Sequence, residues 1–266
     1  MIIIGEKINA SSKSIKAALD NKDAKFIQEL AKNQHEAGAL YVDINAGCLD
    51  KDEILKLEWL VNIIQEVSSV SFCIDSYNAH SIEAALKVNK NPKPIVNSIT
   101  GEKERYKSII PLVLKYNTYV IALCMDDNGM PESMDDRLTI ANNLIENITK
   151  EGINIEDIFI DPLVRPIGNG TNYGIDALES IKTFKKEFPK ASVVCGINNI
   201  SFGVPARKLM NQAFLVSAMM AGIDAAIMDP LDKNLMSVMF ATEALMGKDE
   251  YCMNYQMKFR EGLFDI

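Results

Sequence analysis

Apolar positions along this chain fall into eight short β-rich runs, all but Tyr119 to Leu123 closed directly by a polar residue or glycine. The runs are Ile2 to Ile4, Leu40 to Ile44, Ser71 to Ile74, Pro94 to Val96, Tyr119 to Leu123, Ile158 to Ile160, Ser192 to Cys195 and Ala225 to Met228. Between them the apolar spacing changes to that of amphipathic helices, over roughly 23–37, 53–67, 79–88, 104–116, 134–150, 173–187, 206–221 and 234–246. Every run is followed by one such helical segment. Strict alternation of eight and eight predicts an α/β chain folded as a closed (β/α)8 TIM barrel, with residues 1–266 forming a single domain. An open doubly wound sheet is the competing arrangement, but the first turn, GEKINA, lacks the GxGxxG fingerprint that such sheets often carry. GNGTNYG (168–174) and DDNGMPESM (126–134) read as loops after strands.

In a parallel barrel the chemistry gathers at the carboxyl ends of the strands, so the residue closing each run is the place to look. Those residues are Glu6 and Asn9, Asp43 and Asn45, Asp75, Asn97, Asp161, Asn198 and Asn199, and Asp229. Any one of them is equally well a helix cap or a turn residue. As a set they favour function, because a series of caps would draw as readily on Ser and Thr. A ring of carboxylates and carboxamides presents paired acceptors and donors, which suits a flat heterocycle with an amide-like edge better than a phosphate. Asp43, Asp75 and Asp161 would also suit a hard cation, although their spacing does not require one, and no metal is expected.

Composition narrows the function further. The chain has 48% hydrophobic and 24% charged residues, the balance of an ordinary globular protein. Its net charge of −8 opposes broad contact with nucleic acid or an anionic membrane. No apolar run spans a bilayer and MIIIGEKINA carries no leader pattern, so a cytoplasmic setting is expected. The five cysteines (Cys48, Cys73, Cys124, Cys195, Cys252) form no CxxC pair, and three of them lie inside strand-like runs as core residues. Only two histidines exist, His35 and His80, both in helical segments away from strand ends. A Ser-His-Asp triad, a three-His metal site and a His general base therefore all lose support.

Six segments carry a family resemblance, namely IIIGEKIN (2–9), YVDINAG (41–47), FCIDSYN (72–78), PIVNSITG (94–101), FIDPLV (159–164) and CGINNISFGVPAR (195–207). In order and spacing they resemble the pterin-binding methyltransferases, and among these the methyltetrahydrofolate:corrinoid-protein methyltransferases, relatives of the folate module of cobalamin-dependent methionine synthase. Dihydropteroate synthase is the other branch, but its DIGGxSxRPG-like loop and SRK-like motif are replaced here by DINAGCLDKDE and INNISFG.

The resemblance implies that the barrel mouth binds tetrahydrofolate or 5-methyltetrahydrofolate, with Asp75, Asn97 and Asp161 on the pyrimidine edge. It implies further that Gly196 and Asn199 lie beside N5, with Asn199 as the catalytic donor, and that Arg207 stands near the pterin or the docking face. Glu6, Asp43 and Asn198 complete the expected substrate-binding set, Asn198 standing where the family often has serine.

The other substrate implied is a corrinoid (cobalamin), itself a strong nucleophile in its reduced state, which would explain the missing histidine base. Neither histidine sits in a DxHxxG motif, so the corrinoid is expected on a separate corrinoid protein docking over the mouth. A homodimer through the outer helices is also expected, with Met219, Met220, Met228, Met236, Met239 and Met246 as its candidate face and core packing as their alternative role. A non-catalytic folate carrier would keep Asp75, Asn97 and Asp161 but would not need Asn199.

Overall fold

The computed structural model describes residues 1–47 and 52–264, so Cys48 lies outside the described residues. Eight parallel strands close into a barrel in chain order. They are β1 (Ile2–Asn9), β2 (Tyr41–Asn45), β3 (Ser71–Asp75), β4 (Ile95–Ile99), β5 (Tyr119–Leu123), β6 (Ile158–Asp161), β7 (Ser192–Gly196) and β8 (Ala225–Met228). The helices are α1 (Lys13–Asp20), α2 (Ala24–Glu36), α3 (Glu53–Gln65), α4 (Ala79–Val88), α5 (Lys103–Tyr116), α6 (Met134–Lys150), α7 (Tyr173–Glu187), α8 (Arg207–Ala221), α9 (Lys233–Leu245) and α10 (Met253–Arg260). Pairing of β1 with both β2 and β8 excludes the open sheet.

Helix α1 is not among the predicted elements. Its buried residues Ile15, Ala18 and Leu19 follow helical spacing, but the segment is only eight residues long and marginal without the packing the barrel supplies. Helix α10 was missed for a similar reason, having eight residues and none of them buried. Strand β1 extends past its apolar run to Asn9, because neighbouring strands, and not its own hydrophobicity, hold its polar half.

Two cores result from strand alternation. Outward residues pack the barrel against its helices in one large cluster. Inward residues Ile4, Cys73, Ile95, Ile121, Phe159, Val194 and Ala225 fill the interior. Against them Tyr119 meets Tyr41 and Phe159 edge to face, with ring centroids 6.4 and 5.8 Å away. Cys73, Cys124 and Cys195 are buried free thiols, as expected, and Cys252 is exposed.

The methionine stretch does not form an outer face. Met219, Met228, Met236 and Met239 are all buried core residues and only Met220 is well exposed, because one stripe of α8 and α9 turns towards the barrel and Met228 belongs to β8 itself.

Candidate active site

A cavity of about 560 Å³ opens at the carboxyl end of the barrel. Its lining includes one residue from, or directly after, each strand: Glu6, Asp43, Asp75, Asn97, Leu123, Asp161, Gly196 and Ile227. Each stands two positions after an inward residue, in turn Ile4, Tyr41, Cys73, Ile95, Ile121, Phe159, Val194 and Ala225. The two-residue period of a strand therefore aims all eight at the same axis, one layer above the apolar interior.

The carboxylates sit in a water-poor floor. Asp161 is buried, which lifts its pKa to about 7, opposed only by the Leu163 N–H that donates to its Oδ1 at 2.8 Å. Burial likewise lifts Glu6 to about 7, although Asn198 Nδ2 donates to its Oε2 at 2.7 Å. Asp43 is pushed well up, first by burial and then by the neighbouring Asp75 charge, and it accepts from Asn97 Nδ2 at 3.2 Å. Asp75 is raised by burial against the pull of Asn45, whose Nδ2 donates to it at 2.9 Å, and of Arg105. Four acceptors with incomplete solvation face one cavity, an arrangement that favours a ligand edge rich in N–H donors.

On the opposite wall, Asn199 is exposed to the cavity, and its carboxamide makes no hydrogen bond among the described residues. Gly196 makes room for it: a Cβ at residue 196 would lie 2.8 Å from Asn199 Nδ2 and 3.2 Å from its Cγ. Gly196→Ala is therefore expected to displace the carboxamide and slow turnover about tenfold, at unchanged fold, as read by steady-state rates and circular dichroism. Arg207 stands outside the main cavity. It lines an adjoining cavity of about 220 Å³ that shares Glu6 and Asn198, and it donates to Ser201 Oγ at 3.1 Å and Asn198 O at 2.9 Å.

Sequence reasoning passed over several residues here. Lys7 lines the cavity and pairs with Asp229 at 2.9 Å. Ser11, Ser12, Ser14 and Ile15, from the unforeseen α1 and the turn before it, form a wall with Phe26 and Leu30 of α2. Two buried arginines brace the floor from behind. Arg105 donates to the carbonyls of Ser76, Tyr77 and Ser98, which follow Asp75 and Asn97 in the chain. Arg137 donates to the carbonyl of Pro162, directly after Asp161. A helical arginine reads in sequence as a solvated charge, so only its burial could reveal this work.

Neither histidine reaches the mouth: His35 Nδ1 lies 2.9 Å from Ser68 Oγ, and His80 is exposed at the start of α4. Among the described residues no cluster of His, Cys, Asp and Glu is placed to ligate a metal ion. No helix among them is long and apolar enough to cross a membrane.

Barrel and cavity together have the form of an enzyme whose acceptor-lined mouth suits a flat, donor-rich heterocycle. Residues 5–229 match the pterin binding enzyme family, and the chain belongs to that family. It is 35% identical over 264 residues to the methylcorrinoid:tetrahydrofolate methyltransferase of Eubacterium limosum, covering 98% of this chain and 97% of that protein. It is 29% identical to methionine synthase of Mycobacterium tuberculosis over 85% of this chain but only 20% of that protein, so it corresponds to one part of the larger enzyme. Among solved structures, dihydropteroate synthase of Yersinia pestis in complex with a pterin–sulfa conjugate shares the fold, with a TM-score of 0.70 at 17% identity over 92% of this chain and 94% of that one.

Proposed function

We propose that this protein is a methyltransferase that moves a methyl group between N5 of tetrahydrofolate and the cobalt of a corrinoid carried on a separate protein. The observation that carries the reading is the pairing, in one cavity, of an acceptor floor with an unbonded carboxamide held against Gly196. Near full-length similarity to a methylcorrinoid:tetrahydrofolate methyltransferase supports it.

In this reading Asp75, Asn97 and Asp161 bind the pyrimidine edge of the pterin. Their burial makes each hydrogen bond from the ligand stronger than it would be in water. Glu6 and Asp43 extend the acceptor surface, and Asn198 fastens the β7 loop to Glu6. Asn199 faces N5. A tertiary amine is a poor leaving group because negative charge grows on nitrogen as the methyl departs, so a donor there acts mainly on the transition state. Arg207 grips the carbonyl of Asn198 and so steadies the loop from the docking side.

The corrinoid is a substrate brought by another polypeptide, since the side chains of this chain do not fit a lower-ligand site for it. We place the protein in the cytoplasm, a setting in which its described cysteines remain free thiols. We also assign it a homodimer, with α9, α10 and the turn between them as the contact surface, because Leu245, Tyr251 and Met253 are exposed there.

The test is incubation with methylcobalamin and tetrahydrofolate, and separately with cob(I)alamin and methyltetrahydrofolate, while following the corrinoid spectrum. Transfer is expected in both directions. A pterin pyrophosphate with p-aminobenzoate should give no dihydropteroate, and its formation would favour the dihydropteroate synthase chemistry instead.

A further inference from the structure

Strand β1 gains one residue on β2 as it enters the site. Gly5 pairs with Val42 and Ile8 with Ile44, so two residues, Glu6 and Lys7, stand opposite the single Asp43. Plain alternation would turn Lys7 outward and send Ile8 into the cavity. Instead Glu6, Lys7 and Asn9 all line the cavity, and Ile8 joins the outer core.

The bulge leaves the Lys7 N–H without a ladder partner, and Gln34 takes it. From α2, fully buried, Gln34 accepts this bond through Oε1 at 3.0 Å, while its Nε2 has no partner among the described residues. It fits only because residue 5 has no side chain: a Cβ there would lie 2.5 Å from Oε1 and 3.1 Å from Cδ. A buried amide whose two N–H donors go unanswered costs stability, so its place is understood by what its oxygen holds.

What it holds reaches the reacting end of the cavity. Glu6 accepts from Asn198 Nδ2 at 2.7 Å, and Lys7 pairs with Asp229 at 2.9 Å. These bridges tie β1 to the loops after β7 and β8, and Asn198 directly precedes Asn199. We propose that Gln34, seated against Gly5, is a positioning residue that sets the β1 bulge and through Glu6 and Asn198 fixes the loop carrying Asn199. The methyl-transfer part of its test rests on the function proposed above.

The device acts on one wall only. Asp75, Asn97 and Asp161 stand on β3, β4 and β6, and Arg105 and Arg137 brace them independently of β1. Gln34→Met, which keeps the volume but removes the acceptor, and Gly5→Ala, which pushes the acceptor aside, are each expected to lower kcat about tenfold. The dissociation constant for tetrahydrofolate should change by clearly less than the rate in both, since Asp75, Asn97 and Asp161 keep their places and only the contribution of Glu6 moves. The double variant should lose no more than the worse single one, since both break the same contact.

Amide hydrogen exchange should show the Lys7 N–H losing protection, and the Asn198 side-chain amide resonance should move in each variant. If folded variants keep the parental kcat, or lose folate affinity as much as rate, the proposal is overturned. If the parent transfers no methyl group, the functional reading fails instead. The bulge is then judged by the Asn198 resonance: movement in both variants supports it, and an unmoved signal sinks it.

Discussion

Replacing Asn199 by alanine is expected to leave folate affinity nearly intact while slowing methyl transfer about a hundredfold to a thousandfold. The physical ground is that its carboxamide has no hydrogen bond within the described chain and faces open cavity beside Gly196. A carboxamide with no partner in the described chain breaks no bond to serve the substrate, and the bond it donates strengthens as charge develops on N5. Loss of one preorganised donor of this kind typically costs about 2.7–4 kcal/mol of transition-state stabilisation. Because forward and reverse transfer share one transition state, both directions should slow by the same factor. Single-turnover kinetics measures this directly. A rate within about threefold of the parent would make Asn199 a loop residue and move the proton to solvent or to another strand end.

Asp75→Ala and Asp161→Ala are expected to act on binding instead. Each removes a buried charged acceptor, a loss of about 1.5–3 kcal/mol, or from tenfold to more than a hundredfold in folate affinity. Calorimetric titration checks this, and unchanged affinity in both variants would remove them from the pterin site.

The same floor predicts a pH dependence with a definite sign. Asp161 and Glu6 have pKa values of about 7 in the folded chain, above their ordinary values of 3.8 and 4.5. Between those values and 7 the folded state binds more protons than the unfolded state. The unliganded protein should therefore be most stable at the acid end of that window and lose that part of its stability as pH rises through it. A ligand that donates hydrogen bonds to Asp161 favours the ionised form, so folate binding should weaken as pH falls below about 7 and should release protons near neutrality. Titration in buffers of different ionisation enthalpy counts those protons. In Asp161→Asn the release attributable to this group should vanish.

Hydrophobic patterning by itself determined the eight strands, the eight longer helices that alternate with them and the α/β class, while closure of the sheet rests on the pairing of β1 with β8. The inward and outward periodicity of each strand is local and leaves its mark on the residues. It also marked the cavity floor, since Asp43, Asp75, Asn97 and Asp161 close their apolar runs and strand geometry aims whatever stands there. The family resemblance singled out Gly196 and Asn199, and the structure adds why residue 196 must lack a side chain.

Tertiary structure alone decided what depends on meetings between distant segments. Four of the six methionines proposed as an outer face are core, because α8 and α9 turn Met219, Met236 and Met239 inward and Met228 belongs to strand β8. Helix α1 and its wall of the cavity exist through packing that eight residues cannot announce. Arg105 and Arg137 serve backbone carbonyls 25 to 29 residues away, and Gln34 serves an amide 27 residues away. No periodicity encodes such contacts: side-chain spacing fixes which way a residue points on its own element, and only the closed barrel fixes what it meets there.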